Sequence, residues 1–517
     1  MPSKRIHVPS LEGGMDTQVS PILLKLNQQR LLENLHWQQA TGWSTLDIGY
    51  EAKNSSPLNN GSVIHGLYTF QDVSGLDQTL VQAGDTLFHV NPLIGTVIKS
   101  IGTTYDSPNQ YVTFLGWCFI LNSSCPPKRW NGTNESFENM VGWPYTAEGE
   151  IVGNPSLGCV YANRLVLAGD ATRPNTIYLS ALEDPEDFTP TNLEDSAGAI
   201  QISPGDGQRI TGLIPLYVPY SNEHVLLVFK TKSIYALRGA DASSFRIELV
   251  SNTLGTQSPQ SFMAVGQDVW FFSSSGINAL GPNTQLGILA VGSLSSEMQG
   301  RLPSLNQAQL HKAFALHDPI QKELWWCVPT ESSTVCNEVW VQNYSQSPHK
   351  WSLRKGLNMT CGHTLPLGQL LSGDASGRWH QQRKGHTYNG TNIPWRLISS
   401  TYSLGDFNTQ SRLTTIDVYL SRVGAENFDA YGSWEMGYDG GDSLTPSVTV
   451  SAGGLDMYGL GFFNTARFGS HAKGIARLYP EGSGRLFELT LSGVIPSQPI
   501  AITGYSLTYI EGGDNNL

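Results

Sequence analysis

Cysteine, histidine and carboxylate side chains are where an unfamiliar chain would carry chemistry. The six cysteines are Cys118, Cys125, Cys159, Cys327, Cys336 and Cys361. None pairs at CxxC or zinc-finger spacing, which argues against thiolate ligation of a metal. Cys118 with Cys125, and Cys327 with Cys336, are close enough in sequence to close hairpin loops. Six in 517 residues make no disulfide framework, so mostly free thiols are expected. The twelve histidines are dispersed, with none paired at metal-ligand spacing on a helix. GxxxxGK(S/T), HExxH and GxSxG are absent, so nucleotide, zinc-protease and esterase chemistry have no anchor. The expectation is no metal, no cofactor and no catalytic residue.

The carboxylates give three single candidates and one run. Residues 372–379 (SGDASGRW) resemble a degenerate Asp-box, the turn of sialidase-type propellers, with one residue inserted and the Thr missing. That turn is structural, and a glycosidase needs two carboxylates about 5–10 Å apart. Asp268, Asp318 and Asp374 are therefore read as turn residues. The run Glu183, Asp184, Glu186, Asp187, Glu194 and Asp195 offers the hard oxygens calcium prefers, without the DxDxDG spacing. It is read as a solvated loop.

Charge narrows the partners. Lys and Arg number 31 against 43 Asp and Glu, a formal net charge of -12. Gripping nucleic acid takes basic patches that neutralise phosphates. The opening MPSKRIHVPSLEGG lacks an apolar core, and no run of about 18 apolar residues occurs, so neither a secretory signal nor a membrane insertion is expected. Asn131-Gly-Thr and Asn389-Gly-Thr read as turns.

The elements that would carry these residues are short strands. HVLLVF (224–229), a KTK turn and SIYAL (233–237) form one hairpin; VWFF (269–272), SSSG and INAL (277–280) form it again. The spacing of about 45 residues suits one propeller blade of four antiparallel strands, and the uniformly apolar runs suit strands packed on both faces. Blade starts fall near 64, 158, 215, 262, 313 and 359, so about six blades are expected, with five or seven possible. Residues 106–150 break the period and read as a Trp-rich insertion, with Trp117, Phe119, Trp130 and Trp143 either docking a partner or folding into a local core. Residues 295–303 read as a short helix with a Ser295 or Ser296 cap, stopped by Pro303. From 395 onward longer strands alternate strictly in and out, the pattern of an antiparallel sandwich. The fold expected is all-β: residues 1–60 an N-terminal arm, flexible over 1–20, with entry strands; 61–394 a β-propeller; 395–517 a separate C-terminal β-sandwich.

LVLAGDATRPNTIYLSALEDPEDF (165–188), GDGQRITGLIPLYVPYSNEHVLLVFKTKSIYALRG (205–239) and NTLGTQSPQSFMAVGQDVWFFSSSGINAL (252–280) resemble the propeller-bearing nozzle or hub proteins of short-tailed bacteriophage tails. These are also described as tail tubular or stabilisation proteins. NQQRLLENLHWQQATGWSTLDIGYE (27–51) is similar to that family's opening but lacks its Arg-x-Gly ending. The likeness covers about residues 20–420. It implies a virion protein of the tail, a homohexameric ring below a portal-bound adaptor, with a tail adaptor protein and a tail fibre or tip needle as partners. Genomic DNA would pass without specific binding. It brings no catalytic residues. Two other readings stand beside it: a carbohydrate-binding or carbohydrate-cleaving receptor-recognition propeller, and a soluble cellular propeller scaffold.

Overall fold

The computed structural model describes all of the chain except residues 1, 39–42, 47, 144–152, 192, 242, 406–409, 423–427, 437–446, 451–472, 481–482, 496–499 and 513–517. The protein is all-β, and its larger part is a β-propeller. Among the described residues there are six separate four-stranded antiparallel sheets, and a seventh four-stranded unit sits within a ten-stranded sheet. In chain order the blades span 64–103, 110–139, 157–201, 210–251, 262–293, 314–359 and 361–382. The first strand of each is innermost and, in blades 1–6, the last lies outermost in the blade.

Burial follows from that layout. Strands Arg164–Ala168 and Glu323–Val328 are buried at every position, because neighbouring blades cover both their faces. The rim strand Arg246–Ser251 of blade 4 is exposed or half-buried throughout. Hairpins turn where the sequence places them, as at Gly84, whose φ of 58° closes the second turn of blade 1.

Seven blades is the upper end of the expected range, and the additional one corrects the insertion at 106–150. Gln110–Phe114, Trp117–Asn122, Cys125–Trp130 and Glu138–Asn139 form blade 2; residues 144–150 lie outside the described residues. The short fourth strand and the Cys-Pro-Pro opening of the third hid its period, because proline breaks a strand pattern. The helix at 295–303 is a 3-10 helix, Ser296–Ser304, that contains Pro303 instead of stopping before it. Ser295 stands at the N-cap position as expected but makes no side-chain cap; its hydroxyl instead accepts the Ile277 N–H at 2.8 Å.

The ring closes by returning to the start of the chain. Blade 7 takes its rim strand, Tyr50–Ala52, from before blade 1, pairing Ala52, Glu51 and Tyr50 with His380, Gln381 and Gln382. Leu371 and Trp379 of blade 7 then share a core with Ile64 and Val81 of blade 1.

Two further corrections concern the termini. Residues 1–20 are not a free arm: Lys4–Val8 pairs in register with residues 505–509, and Gly14–Met15 pairs with Gln28 and Gln29. Nor is 395–517 a separate module. One of its sheets incorporates Lys4–Val8, Leu35–Gln38 and Trp43–Leu46. The other continues from blade 6 through strand Gln28–Glu33 into Ile393–Ser403 and Leu486–Ile495. The sandwich is real, but each of its sheets is completed from the N-terminus. Of the sandwich strands expected from 395 onward, Phe428–Met436 and Ser447–Val450 are among those described, while residues 437–446 and 451–472 lie outside the described residues.

The two halves share a single core. Phe272 of blade 5, Trp326 and Trp340 of blade 6, and Leu397, Leu489, Ile416 and Tyr505 of the sandwich belong to one apolar cluster. Trp325 and Trp326 point to opposite faces of their strand, as alternation requires. Trp325 packs with Tyr388 and Ile393, whereas Trp326 packs toward the sandwich.

Asn34 ties the parts together. It is fully buried in the left-handed region, with φ 55°. Its N–H donates to Leu353 O at 2.8 Å and its Nδ2 to Pro394 O at 2.7 Å. Its Oδ1 accepts from Lys355 N at 2.8 Å and Tyr388 Oη at 3.1 Å. Asn34→Ala leaves buried partners unpaired and strains the backbone, so it should lower unfolding stability in urea by about 3 kcal/mol or more; a loss under about 1 kcal/mol would contradict this role. Residues 395–517 produced alone should show collapsed amide NMR dispersion. A well-dispersed spectrum would mean the N-terminal strands are dispensable.

Candidate functional site

The four aromatic candidates for partner docking are inter-blade packing. Strand Trp117–Asn122 is covered on both faces. Cys118 and Ile120 face blade 1 with Trp130, while Phe119 and Leu121 face blade 3 with Trp143, Tyr178 and Phe188. Trp130 is 0% exposed, and its Nε1 donates to Asn134 O at 2.9 Å. Its ring meets Phe70 and His89 of blade 1 edge-on. Trp143 meets Tyr178 and Phe188 in the same way. Trp117 is half-buried, with the Arg129 guanidinium 4.5 Å from its ring, and that guanidinium in turn pairs with Glu138 and Glu186. Phe119, Trp130 and Trp143 are thus buried between blades, as the core alternative expects, and Trp117 stays half-buried beneath Arg129.

The carboxylate candidates sit in three different blades, Asp318 and Asp374 bonding turn N–H groups and Asp268, expected in a turn, standing at the start of a strand. Asp374 Oδ1 accepts the Ser376 and Arg378 N–H groups at 2.8 and 2.9 Å. Asp318 Oδ1 accepts those of Ile320 and Gln321 at 3.1 and 3.0 Å. Asp268 opens the second strand of blade 5, and burial pushes its carboxyl up. Within the acidic run, Asp184 and Asp187 cap the N–H groups of Glu186 and Thr189 at 3.0 and 2.8 Å. The buried Arg164 holds this loop by donating to the carbonyls of Ser180, Glu194, Asp195 and Ser196. Among the described residues no group of three His, Cys, Asp or Glu is placed to hold a metal. All six cysteines are free and buried, and burial pushes the Cys118, Cys159, Cys327 and Cys336 thiols well up.

Sequence reasoning missed a buried ionic clasp between blades 6 and 7. Arg383 pairs with Asp318 at 2.5 Å and with Glu323. Glu323 also accepts Trp325 Nε1 at 3.1 Å. The Arg383 and Arg354 guanidiniums lie 5.1 and 4.2 Å from the Trp325 ring. Arg354 reaches Ile48 O at 3.2 Å, just before the strand that closes the ring. Such charges survive burial because each meets an opposite charge, a hydrogen bond or a π-face. Asp318 and Glu323 face each other across a hairpin, but nothing in the spacing brings Arg354 and Arg383 to them.

The propeller axis is a further candidate. The seven innermost strands carry no Lys, Arg or Glu, and their one Asp is the buried Asp318. Tyr68 of blade 1 stacks on Tyr111 of blade 2 at 5.2 Å and lies 5.7 Å from His363 of blade 7. The Tyr68 hydroxyl is 2.9 Å from Thr113 Oγ1. A Cβ on Gly66 would sit 3.1 Å from the Tyr111 ring, so glycine there lets the ring close against the backbone. Burial pushes the Tyr68 hydroxyl up to about 12 and the His363 imidazole down to about 4. The wall is neutral, aromatic and tightly packed where blades 7, 1 and 2 meet. It supplies neither a nucleophile–base pair nor a cation for phosphate.

No family model and no curated protein matches the chain. Among solved structures it is similar to YCF48 from Cyanidioschyzon merolae, at 10% identity over 65% of this chain and 98% of that one, with a TM-score of 0.42. It is also similar to the RRP9 WD40 repeats, at 8% identity over 64% and 99% of the two chains, with a TM-score of 0.40. The class follows from the protein's own sheets: an all-β propeller carrying an antiparallel sandwich. Among the described residues no helix is long and apolar enough to cross a membrane.

His363 makes stability depend on pH. Its folded pKa lies below the usual imidazole value near 6.5, so between about 6.5 and 4 the unfolded chain binds a proton that the folded one refuses. Stability is complete above that window and falls as pH drops through it, by up to about 3 kcal/mol. Burial shifts His89, His317, His349 and His380 the same way. Urea midpoints at pH 7 and 4.5 should differ less for His363→Phe than for the wild type; equal differences would contradict the assignment.

Proposed function

We propose that this protein is a structural virion component without enzymatic activity: the nozzle or hub of a short-tailed phage tail, forming a homohexameric ring for DNA ejection below the portal–adaptor complex. The observation that carries the reading is the run of family-like phrases at 165–188, 205–239 and 252–280. They fall on the paired strands of three consecutive blades, 3, 4 and 5.

The physics supports it. A conduit must pass DNA without holding it, and each Lys or Arg contact with a phosphate adds salt-sensitive affinity. A chain of net charge -12 has little such grip. The packed Tyr68, Tyr111 and His363 rings leave a single propeller's axis ill-suited to a duplex, so in this reading the conduit runs between copies. A sheet continuous from blade 6 into the sandwich gives each copy a stiff body, as heterologous contacts that close a ring require. The partners in this reading are a tail adaptor protein above and a tail fibre or tip needle below.

Negative-stain electron microscopy of the purified full chain, alone and at high concentration, tests it. Sixfold rings with a lumen wide enough for duplex DNA are expected. A strict monomer under all conditions that also binds defined sugars on a glycan array would overturn it.

A further inference from the structure

The propeller's two faces differ. In an antiparallel blade the first and third turns emerge on one face and the second turn on the other. The second turns are polar: Gly84-Asp85, Ser123-Ser124, Thr231-Lys232, Ser274-Ser275 and residues 374–378. Among the described residues no exposed large hydrophobic side chain lies in any of them.

The first turns of four successive blades are the opposite. Ile320 in blade 6 is 67% exposed, Leu367 in blade 7 is 75%, Val73 and Leu76 in blade 1 are 73% and 62%, and Leu115 in blade 2 is 54%. These tips are neighbours. A Cβ on Gly368 would lie 3.0 Å from Ile320, and one on Gly116 would lie 2.6 Å from Val73. This crescent of apolar first turns stops at blade 3, whose first turn is Ala162-Asn163, although the connection after its third strand still exposes Leu182 and Leu193. There the long connection 180–197, on the same face, exposes Glu183, Asp184, Glu194 and Asp195.

We infer that this face docks a protein partner whose contact surface is apolar with a lysine- or arginine-rich edge. Exposed aliphatic tips clustered on one face mark an interaction surface. The acidic flank sets the sign of its rim, since complementary charge steers encounter and fixes register. Nucleic acid does not fit, because the flank repels phosphate. A second copy fits poorly: its opposite face presents polar second turns, and crescent against crescent offers each acidic loop only the exposed Lys322 of the blade 6 turn. The inference rests on these turns and holds or fails independently of the virion reading.

Full-length protein is titrated into a fluorescein-labelled peptide of alternating leucine and lysine, and into a leucine–glutamate twin. Binding is read by anisotropy, and its footprint by amide hydrogen exchange. The lysine peptide should bind and protect turns 72–76, 115–116, 319–322 and 365–369. The charge-neutral triple variant L115S/I320S/L367S should lose at least about tenfold in affinity, as removing several exposed apolar contacts requires. E183Q/E194Q should weaken binding and its salt dependence. All five positions are exposed, so thermal melting of both variants should match the wild type. Equal affinity of the triple variant, protection of the polar face, equal binding of the glutamate peptide, or crescent-dependent self-association in sedimentation would each overturn the inference.

Discussion

Strand Gln28–Glu33 and the buried Asn34 after it are the constraint on which the rest of the molecule depends. The strand pairs with Ile393–Ser403 on one edge and touches the last strand of blade 6 at Glu33 and Leu353. A propeller blade ordinarily ends at its rim with an exposed edge, an invitation to unwanted pairing. Here the edge of blade 6 becomes the start of the sandwich. Asn34 makes the junction possible because it tolerates the left-handed conformation and its amide both donates and accepts.

This topology makes the chain's two ends mutually dependent. The N-terminal 52 residues supply the rim of blade 7 and strands to both sheets of the sandwich. The C-terminal strands complete the sheets that anchor that segment. The propeller therefore closes only when residues distant in sequence meet, a high-contact-order arrangement whose loop-closure entropy must be offset by the shared core. The Trp325 clasp and the apolar cluster containing Trp326 and Trp340 lie at that meeting place. Large aromatic rings there bury much area per side chain ordered.

The same layout decides which parts of the propeller stay exposed. Blade interiors are consumed by packing against their neighbours, which is why Trp117, Phe119, Trp130 and Trp143 face inward. The carboxylates found in turns are occupied in bonding backbone N–H groups. What remains for recognition is the set of turns at the two ends of the ring, and these differ in polarity.

The sequence alone determined the all-β class, the hairpins at 224–237 and 269–280, and the turn roles of Asp318 and Asp374. These are properties of alternation and turn chemistry, local enough to be written in adjacent residues. Only the tertiary structure decided that 110–139 is a blade, since its short fourth strand and Pro-Pro opening erase the period. It alone showed that the first residues are sheet and not arm, that Asn34 is a junction, and that Asp318, Glu323, Arg354 and Arg383 converge. Pairing between strands hundreds of residues apart depends on which edges the folded ring leaves open, and periodicity along a chain carries no information about edges.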